Sequence, residues 1–171
     1  MRPEFPIECR CSHRGEPLQL PFAQKAMQML PHRAETIFEP TPQGLRVIAE
    51  TEMALERPLE ILRDVFGEQL HVEPPAVRYR EGASLEEPHM GLRVLAAPMH
   101  FEVLRNDLLL RGATIVDAEQ SKHFAVLRAV APLKKLFGYH AFVAQHTSRR
   151  GQLVMWLSHY AAVADRTAHD S

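Results

Sequence analysis

The sequence has no excess of charge of either sign. It contains 20 lysine and arginine residues against 21 aspartate and glutamate residues, so its formal net charge is -1 at pH 7. Non-specific binding to nucleic acid depends on positive charge spread over the protein surface. The composition therefore excludes a chain that binds RNA through its overall charge, and any RNA contact has to be a local patch.

Cysteines and long apolar runs are also scarce. The chain has 2 cysteines, Cys9 and Cys11, and it lacks the second ligand pair that a zinc site requires. Such sparse cysteine usage favours the reduced thiols of a cytosolic protein. No apolar run reaches the roughly 20 residues that span a bilayer, and the first residues lack the apolar core of a secretory signal. The sequence predicts a cytoplasmic protein without membrane contact.

Motifs for catalysis and cofactor binding are missing as well. The pattern Gly-x-x-x-x-Gly-Lys, which cradles nucleotide phosphates, does not occur, so the sequence predicts no GTP binding. The 10 histidines show no metal-ligand spacing within one predicted helix. Glu56 and Glu60 are typical of a solvated helix face rather than of a catalytic carboxylate pair. We expect no enzymatic activity, no bound metal and no cofactor.

Hydrophobic periodicity indicates that the chain consists of two similar halves. Alternating apolar residues predict a strand over Phe5–Ser12, and helical spacing predicts a helix over Gln19–Leu30. Two strands, a helix and an extended segment follow, at 35–39, 44–50, 51–66 and 70–80. Pro58 either kinks the second helix or starts its main part. The order strand, helix, strand, strand, helix, strand is that of the ferredoxin-like plan.

The same order is repeated after a short joint at Gly82–Ser84. The predicted elements are a strand at 90–96, a helix at 98–110, strands at 113–116 and 123–130, a helix that begins near Pro132, and a last strand from Leu153. The sequence therefore predicts an α+β protein of two tandem ferredoxin-like (βαββαβ) domains, with antiparallel sheets and helices on one face. The predicted boundaries are 1–82 and 86–165, with a tail at 166–171.

The stretch from Ala131 to Tyr160 carries several short motifs in a fixed order. They are Pro-Leu at Pro132, Phe-Gly-Tyr at Phe137–Tyr139, Thr-x-x-Arg-Gly at Thr147–Gly151 and His-Tyr at His159–Tyr160. In this order they resemble the C-terminal domain, domain V, of elongation factor G, the ribosomal translocase. Gly151 is expected to supply the open backbone angles of the turn before the last strand.

The first half resembles domain III of the same family. Glu52, Leu55 and Glu56 fit a helix start of that domain, and Tyr79–Glu81 fits its later Tyr-Arg-Glu. The family's GTPase domain, domain II and domain IV have no counterpart in this sequence. The resemblance implies a translation-factor-like protein that binds the ribosome, through rRNA or a ribosomal protein near the factor-binding centre, without GTPase or translocase activity.

Arg149 and Arg150 form the clearest charge cluster, in the predicted turn between a helix and the last strand. Paired arginines suit phosphate recognition, because each guanidinium group can donate two parallel hydrogen bonds. The same pair is also typical of a turn that is merely solvated. The resemblance favours contact with RNA or the ribosome at this position.

Two apolar surfaces are candidates for a protein interface. A helix cannot bury three successive side chains on one face, and a strongly apolar sheet face is unlikely to stay bare in water. The candidates are Leu108, Leu109 and Leu110 on a helix, and Phe124, Val126, Val130 and Trp156 on the second sheet. We expect the sheet face to be covered by the first domain or by a second copy of the chain. The alternative function is a homo- or hetero-oligomeric interaction module unrelated to translation.

Overall fold

The chain separates into two units, Met1–Arg78 and Tyr79–Ser171. The computed structural model describes residues 4–163, so the predicted tail at 166–171 lies outside the described residues. The elements of the first unit are β1 (Ile7–His13), α1 (Gln19–Met29), β2 (Thr36–Thr41), β3 (Gly44–Ala49), α2 (Glu56–Phe66), β4 (Leu70–Val72) and β5 (Ala76–Val77). Those of the second unit are β6 (Arg80–Glu81), β7 (Leu85–Ala96), α3 (Phe101–Leu110), β8 (Thr114–Gln120), β9 (Ala125–Pro132), α4 (Tyr139–His146) and β10 (Gln152–Ala162).

The first unit is an antiparallel sheet with both helices on one face. Its strand order is β2-β3-β1-β4, and β5 also pairs with β1. Phe22 of α1 and Phe66 of α2 meet with ring centroids 5.1 Å apart, and His13 of β1 contacts both rings. Pro74 and Pro75 separate β4 from β5, because proline cannot donate a ladder hydrogen bond.

The second unit repeats this arrangement. Its strand order is β10-β7-β9-β8, and β6 also pairs with β7. Met90, Leu92 and Val94 alternate along β7 into the core and are at most 1% exposed. The Gly82 amide donates to the Ser84 carbonyl (3.0 Å) between the paired strands β6 and β7. The segment predicted as a joint is therefore the turn of a hairpin inside the second unit.

The segment before α4 differs from the prediction. Pro132 is the last residue of β9 rather than part of the first helical turn. A short 3-10 turn at Leu133–Lys135 follows, and Gly138, with φ of 86°, immediately precedes α4. Left-handed backbone is incompatible with a right-handed helix. The α-helix is therefore confined to Tyr139–His146.

β1 lies between β3 and β4 in the first unit, and β7 lies between β9 and β10 in the second. Apart from the short strands β5 and β6, this is the ferredoxin-like order. The predicted fold class, α+β with two ferredoxin-like domains, is confirmed. Among residues 4–163, no helix is long and apolar enough to cross a membrane. No three histidine, cysteine, aspartate or glutamate side chains of this described part come together as metal ligands.

Candidate functional site

A tight turn joins α4 to β10 and carries the two predicted site arginines. Thr147 anchors this turn, because its buried hydroxyl donates to the Val143 carbonyl (2.6 Å) and accepts from the Gly151 amide (2.9 Å). The Arg149 amide donates to the Ala144 carbonyl (2.8 Å). Hydrogen bonds back to the last turn of α4 satisfy its free carbonyls and fix the loop against the fold.

The left-handed residues of this turn are Ser148 and Arg149, with φ of 51° and 64°. The prediction that Gly151 supplies the open backbone angles is wrong, since its φ is not positive. Its missing side chain serves packing instead. A Cβ atom there would lie 2.8 Å from Thr147 Oγ1 and 3.0 Å from Val143 Cγ1. The Thr-x-x-Arg-Gly motif thus encodes a hydroxyl anchor and the glycine that makes room for it.

Arg149 and Arg150 are both exposed at the tip of the turn. Within residues 4–163, neither guanidinium group has an ion-pair partner. Such groups are available to the oxygens of a phosphate, which arginine binds with charge-assisted hydrogen bonds. Lys134, by contrast, lies in the 3-10 turn before α4, at the other end of this helix. Its ammonium group forms an ion pair with the Glu87 carboxylate (3.0 Å). The structure therefore brings Arg149 and Arg150 together and leaves Lys134, which is paired with Glu87, outside this site.

The Phe-Gly-Tyr motif holds the start of α4 against α3. Tyr139 is fully buried, and its hydroxyl donates to the Leu104 carbonyl (3.1 Å). Burial raises the pKa of Tyr139 well above its usual value, and the nearby Asp107 carboxyl adds to this effect. Arg111 donates to the Phe137 carbonyl (2.8 Å) and to the Asp107 carboxylate (2.6 Å). Within the motif Tyr139 is buried, whereas Phe137 and Gly138 are partly exposed, so the contacts of Tyr139 serve to fix α4 on α3.

The three leucines at the end of α3 differ in their surroundings. Leu108 is fully buried in the core of the second unit, which removes it from any surface patch. Leu109 is 50% exposed and Leu110 is 86% exposed. Met99 and Val103 precede Leu110 at helical spacing, and both are exposed. The name α3 stripe is used below for Val103, Leu109 and Leu110 of α3 together with Met99, which lies in the 3-10 turn directly before this helix.

The other predicted interface residues lie on the outer face of the second sheet, which is turned away from α3 and α4. Phe124 and Trp156 are each 45% exposed, and Val126 and Val130 are half-buried. Arg93 shares this face, although the motifs in the sequence do not draw attention to it. The alternation along β7 is the signal that could have identified it, because every second residue of a strand faces the same side.

Comparison with known proteins places the second unit in a family. The family profile described as elongation factor G C-terminus matches residues 84–171. Elongation factor G of Mycoplasma pneumoniae is 35% identical over 77 residues, which are 45% of this chain and 11% of that protein. Elongation factor G of Ureaplasma parvum serovar 3 is 27% identical over 117 residues, which are 60% of this chain and 17% of that protein.

A solved structure shares the fold. A crystal structure of a protein from Thermus thermophilus matches with a TM-score of 0.68 and 14% identity, over 98% of this chain and 42% of that chain. The chain spans 11% and 17% of the lengths of the two relatives above, so it corresponds to a small part of each. The resemblance indicated by the Phe-Gly-Tyr and Thr-x-x-Arg-Gly motifs is confirmed, and the chain belongs to the elongation factor G C-terminus family.

Proposed function

We propose that this translation-factor-like chain binds the ribosome in the cytoplasm and has no GTPase activity of its own. The relatives it matches are named elongation factor G, and the matched segment contains the arginine turn. The sequence has no Gly-x-x-x-x-Gly-Lys pattern to hold nucleotide phosphates. Its partner would be rRNA or a ribosomal protein near the factor-binding centre.

The observation that carries this proposal is the fixed turn with two exposed arginines. Thr147 and Gly151 hold the backbone of the turn at both ends. A loop that is already ordered loses little conformational freedom when it binds, so more of the contact energy remains as affinity. The turn can therefore present Arg149 and Arg150 to an RNA backbone without a change of fold.

The double variant Arg149→Glu with Arg150→Glu tests the proposal. We expect its affinity for purified ribosomes to fall about tenfold or more, because two charge-assisted hydrogen bonds become repulsive contacts. The slope of log affinity against log salt should fall by about two, one for each lost phosphate contact. Co-sedimentation at several salt concentrations measures both quantities.

A matched control is Lys25→Glu with Lys135→Glu. It changes the net charge by the same amount at two exposed positions that belong neither to the turn nor to the groove that Arg150 lines. We expect this variant to bind ribosomes nearly as well as the wild type, with an unaltered melting temperature in both variants. If the two double variants lose affinity equally, the effect is one of overall charge and the turn is only solvated.

The α3 stripe supports a second candidate function, association with protein. Leu110 is 86% exposed and Met99 is 81% exposed, and a row of exposed apolar side chains on a helix marks an interaction surface. A second copy of the chain is the partner to test first. This would make the chain a homo-oligomeric interaction module independent of translation.

The variant Leu109→Ser with Leu110→Ser tests this second candidate. If the stripe mediates self-association, the wild type should sediment as a dimer at micromolar concentration and the variant as a monomer. Sedimentation velocity over a range of protein concentrations distinguishes the two. A wild type that remains monomeric throughout that range contradicts self-association through α3.

A further inference from the structure

Aromatic rings and unpaired arginines stand together on the outer face of the second sheet. Every second residue of β7 is buried against the helices, as Leu92 and Val94 are. The residues between them therefore lie on the opposite, outer face of the sheet. The strand register aligns Gly91 with Trp156 and Arg93 with Val154 on one side of β7. On the other side it aligns Arg93 with Arg128. These side chains therefore form one surface that crosses three strands.

Trp156 lies directly over the backbone of β7. A Cβ atom at Gly91 would be 2.5 Å from the Cε2 and Nε1 atoms of the indole, so only glycine leaves space for the ring. The indole is nevertheless 45% exposed. One side of the indole packs on the backbone of β7, and the remainder of the ring is exposed to solvent. A planar ring can stack on this exposed part.

Arg93 and Arg128 stand side by side in the middle of this surface. They are cross-strand partners, and both are exposed. Like charges placed directly opposite repel, and within residues 4–163 neither arginine has an ion-pair partner. Asp117 is aligned with Arg128 on the edge strand β8, but the two do not form an ion pair. An anion bound between the arginines would relieve their repulsion.

A second ring lies at the far end of the same surface. Phe124 is 45% exposed and lines an open groove together with Leu95, Arg150 and Gln152. This groove places another guanidinium group beside another exposed aromatic ring. The surface therefore carries an aromatic platform on either side of a pair of arginines.

We propose that this outer face binds single-stranded RNA, with bases stacked on Trp156 and Phe124 and phosphates held by Arg93 and Arg128. Unpaired bases stack on exposed aromatic rings, whereas a duplex hides its base faces. A second copy of the chain fits this surface less well, because a symmetric dimer through it would bring the Arg93 and Arg128 pairs of both copies together, and like charges repel across an interface. The proposal goes beyond ribosome binding by the arginine turn, since it concerns a free strand and rests on Trp156, Phe124, Arg93 and Arg128. Arg150, which lines the groove beside Phe124, is common to both surfaces.

Fluorescence of the protein itself reports on the stacking. Trp156 is the single tryptophan of the chain, so a base stacked on its indole should quench the intrinsic emission. The probe is a labelled single-stranded RNA of mixed sequence and about 12 nucleotides, a length within the usual range of single-strand binding sites. We expect quenching and a rise in anisotropy at the same RNA concentration.

Variants separate stacking from charge. Trp156→Ala and Phe124→Ala should each weaken RNA binding about tenfold, while Trp156→Phe should retain most of the affinity because it keeps a ring.

Arg93→Glu with Arg128→Glu should weaken RNA binding further and lower the slope of log affinity against log salt by about two. The control Leu109→Ser with Leu110→Ser alters the other layer of the unit and should bind RNA normally. Thermal melting establishes that each variant is folded.

Three results would overturn the proposal. The first is a wild type that neither binds the strand nor shows quenching, and the second is a folded Trp156→Ala that binds as tightly as the wild type. The third is a dimer that depends on Trp156 and is not dissociated by RNA, since the occupant is then a second copy of the chain. Ribosome co-sedimentation of Arg149→Glu with Arg150→Glu is a separate assay, so either proposal can fail alone.

Discussion

Replacing Tyr139 with alanine is expected to lower the free energy of unfolding of the second unit by about 3–5 kcal/mol, the usual range for a buried aromatic residue. The Tyr139 side chain is fully buried, and its hydroxyl donates to the Leu104 carbonyl of α3. The substitution removes the ring between α3 and α4 and leaves that carbonyl without its donor. Urea unfolding followed by circular dichroism measures the loss.

The variant Tyr139→Phe is the matched control, because it keeps the ring and removes only the hydroxyl. Its loss should be about 1 kcal/mol, the typical contribution of one hydrogen bond. A Tyr139→Ala variant that unfolds at the same urea concentration as Tyr139→Phe would show that the ring itself contributes little. The cavity argument for this position would then be wrong.

The same residue predicts a dependence of stability on alkaline pH. Burial raises the pKa of Tyr139 in the folded chain above its value of about 10 in the unfolded chain. The stability that comes from this difference is fully present below pH 10 and is lost as the pH rises towards the folded pKa. Above pH 10, wild-type stability should therefore fall more steeply than that of Tyr139→Phe.

Substitution of Gly44 by alanine should destabilise the first unit by about 3 kcal/mol or more, through combined backbone strain and overpacking. Gly44 has φ of 133°, a conformation that L side chains rarely adopt. A Cβ atom there would also overlap the carbonyl oxygen of Cys11 on the neighbouring strand β1. Because that neighbour is backbone, the clash can be relieved only by moving β1 away from β3.

Gly138→Ala provides the comparison for strain without a clash. Gly138 also has a positive φ, 86°, and its ψ of -9° places it in the left-handed region, but no other group lies within 4 Å of the position of its Cβ atom. We expect the second unit to lose only about 1 kcal/mol, the usual difference between glycine and alanine in left-handed backbone. Equal losses at the two positions would contradict the role given to the Cys11 carbonyl.

Periodicity was sufficient to predict the two ferredoxin-like units, because each strand buries one face and each helix one stripe. The alternation of Met90, Leu92 and Val94 fixes which side of β7 faces the core. The same pattern places Arg93 on the other side, although its pairing with Arg128 depends on the register of β9. Register between strands that are distant in sequence is a tertiary property, which explains why the arginine pair was not predicted.

The turn residues show a different limit of sequence reasoning. Glycine is the residue most permissive of open backbone angles, so Gly151 was the natural candidate for them. The structure gives those angles to Ser148 and Arg149, while Gly151 accommodates the side chain of Thr147. Propensity describes one residue at a time, whereas the need for glycine here arises from a contact with the preceding helix. Pro132 ends β9 for a similar reason, since the left-handed Gly138 sets where α4 begins.

The central position of β7 has a consequence for synthesis of the chain. This strand lies between β9 and β10, so one of its edges is completed by β10, the last strand among residues 4–163. Until that element leaves the translating ribosome, the nascent chain carries a strand with unpaired amides and carbonyls along one side. Such an edge is a template for pairing with other chains. The second unit is therefore most exposed to aggregation in the interval before β10 has been made.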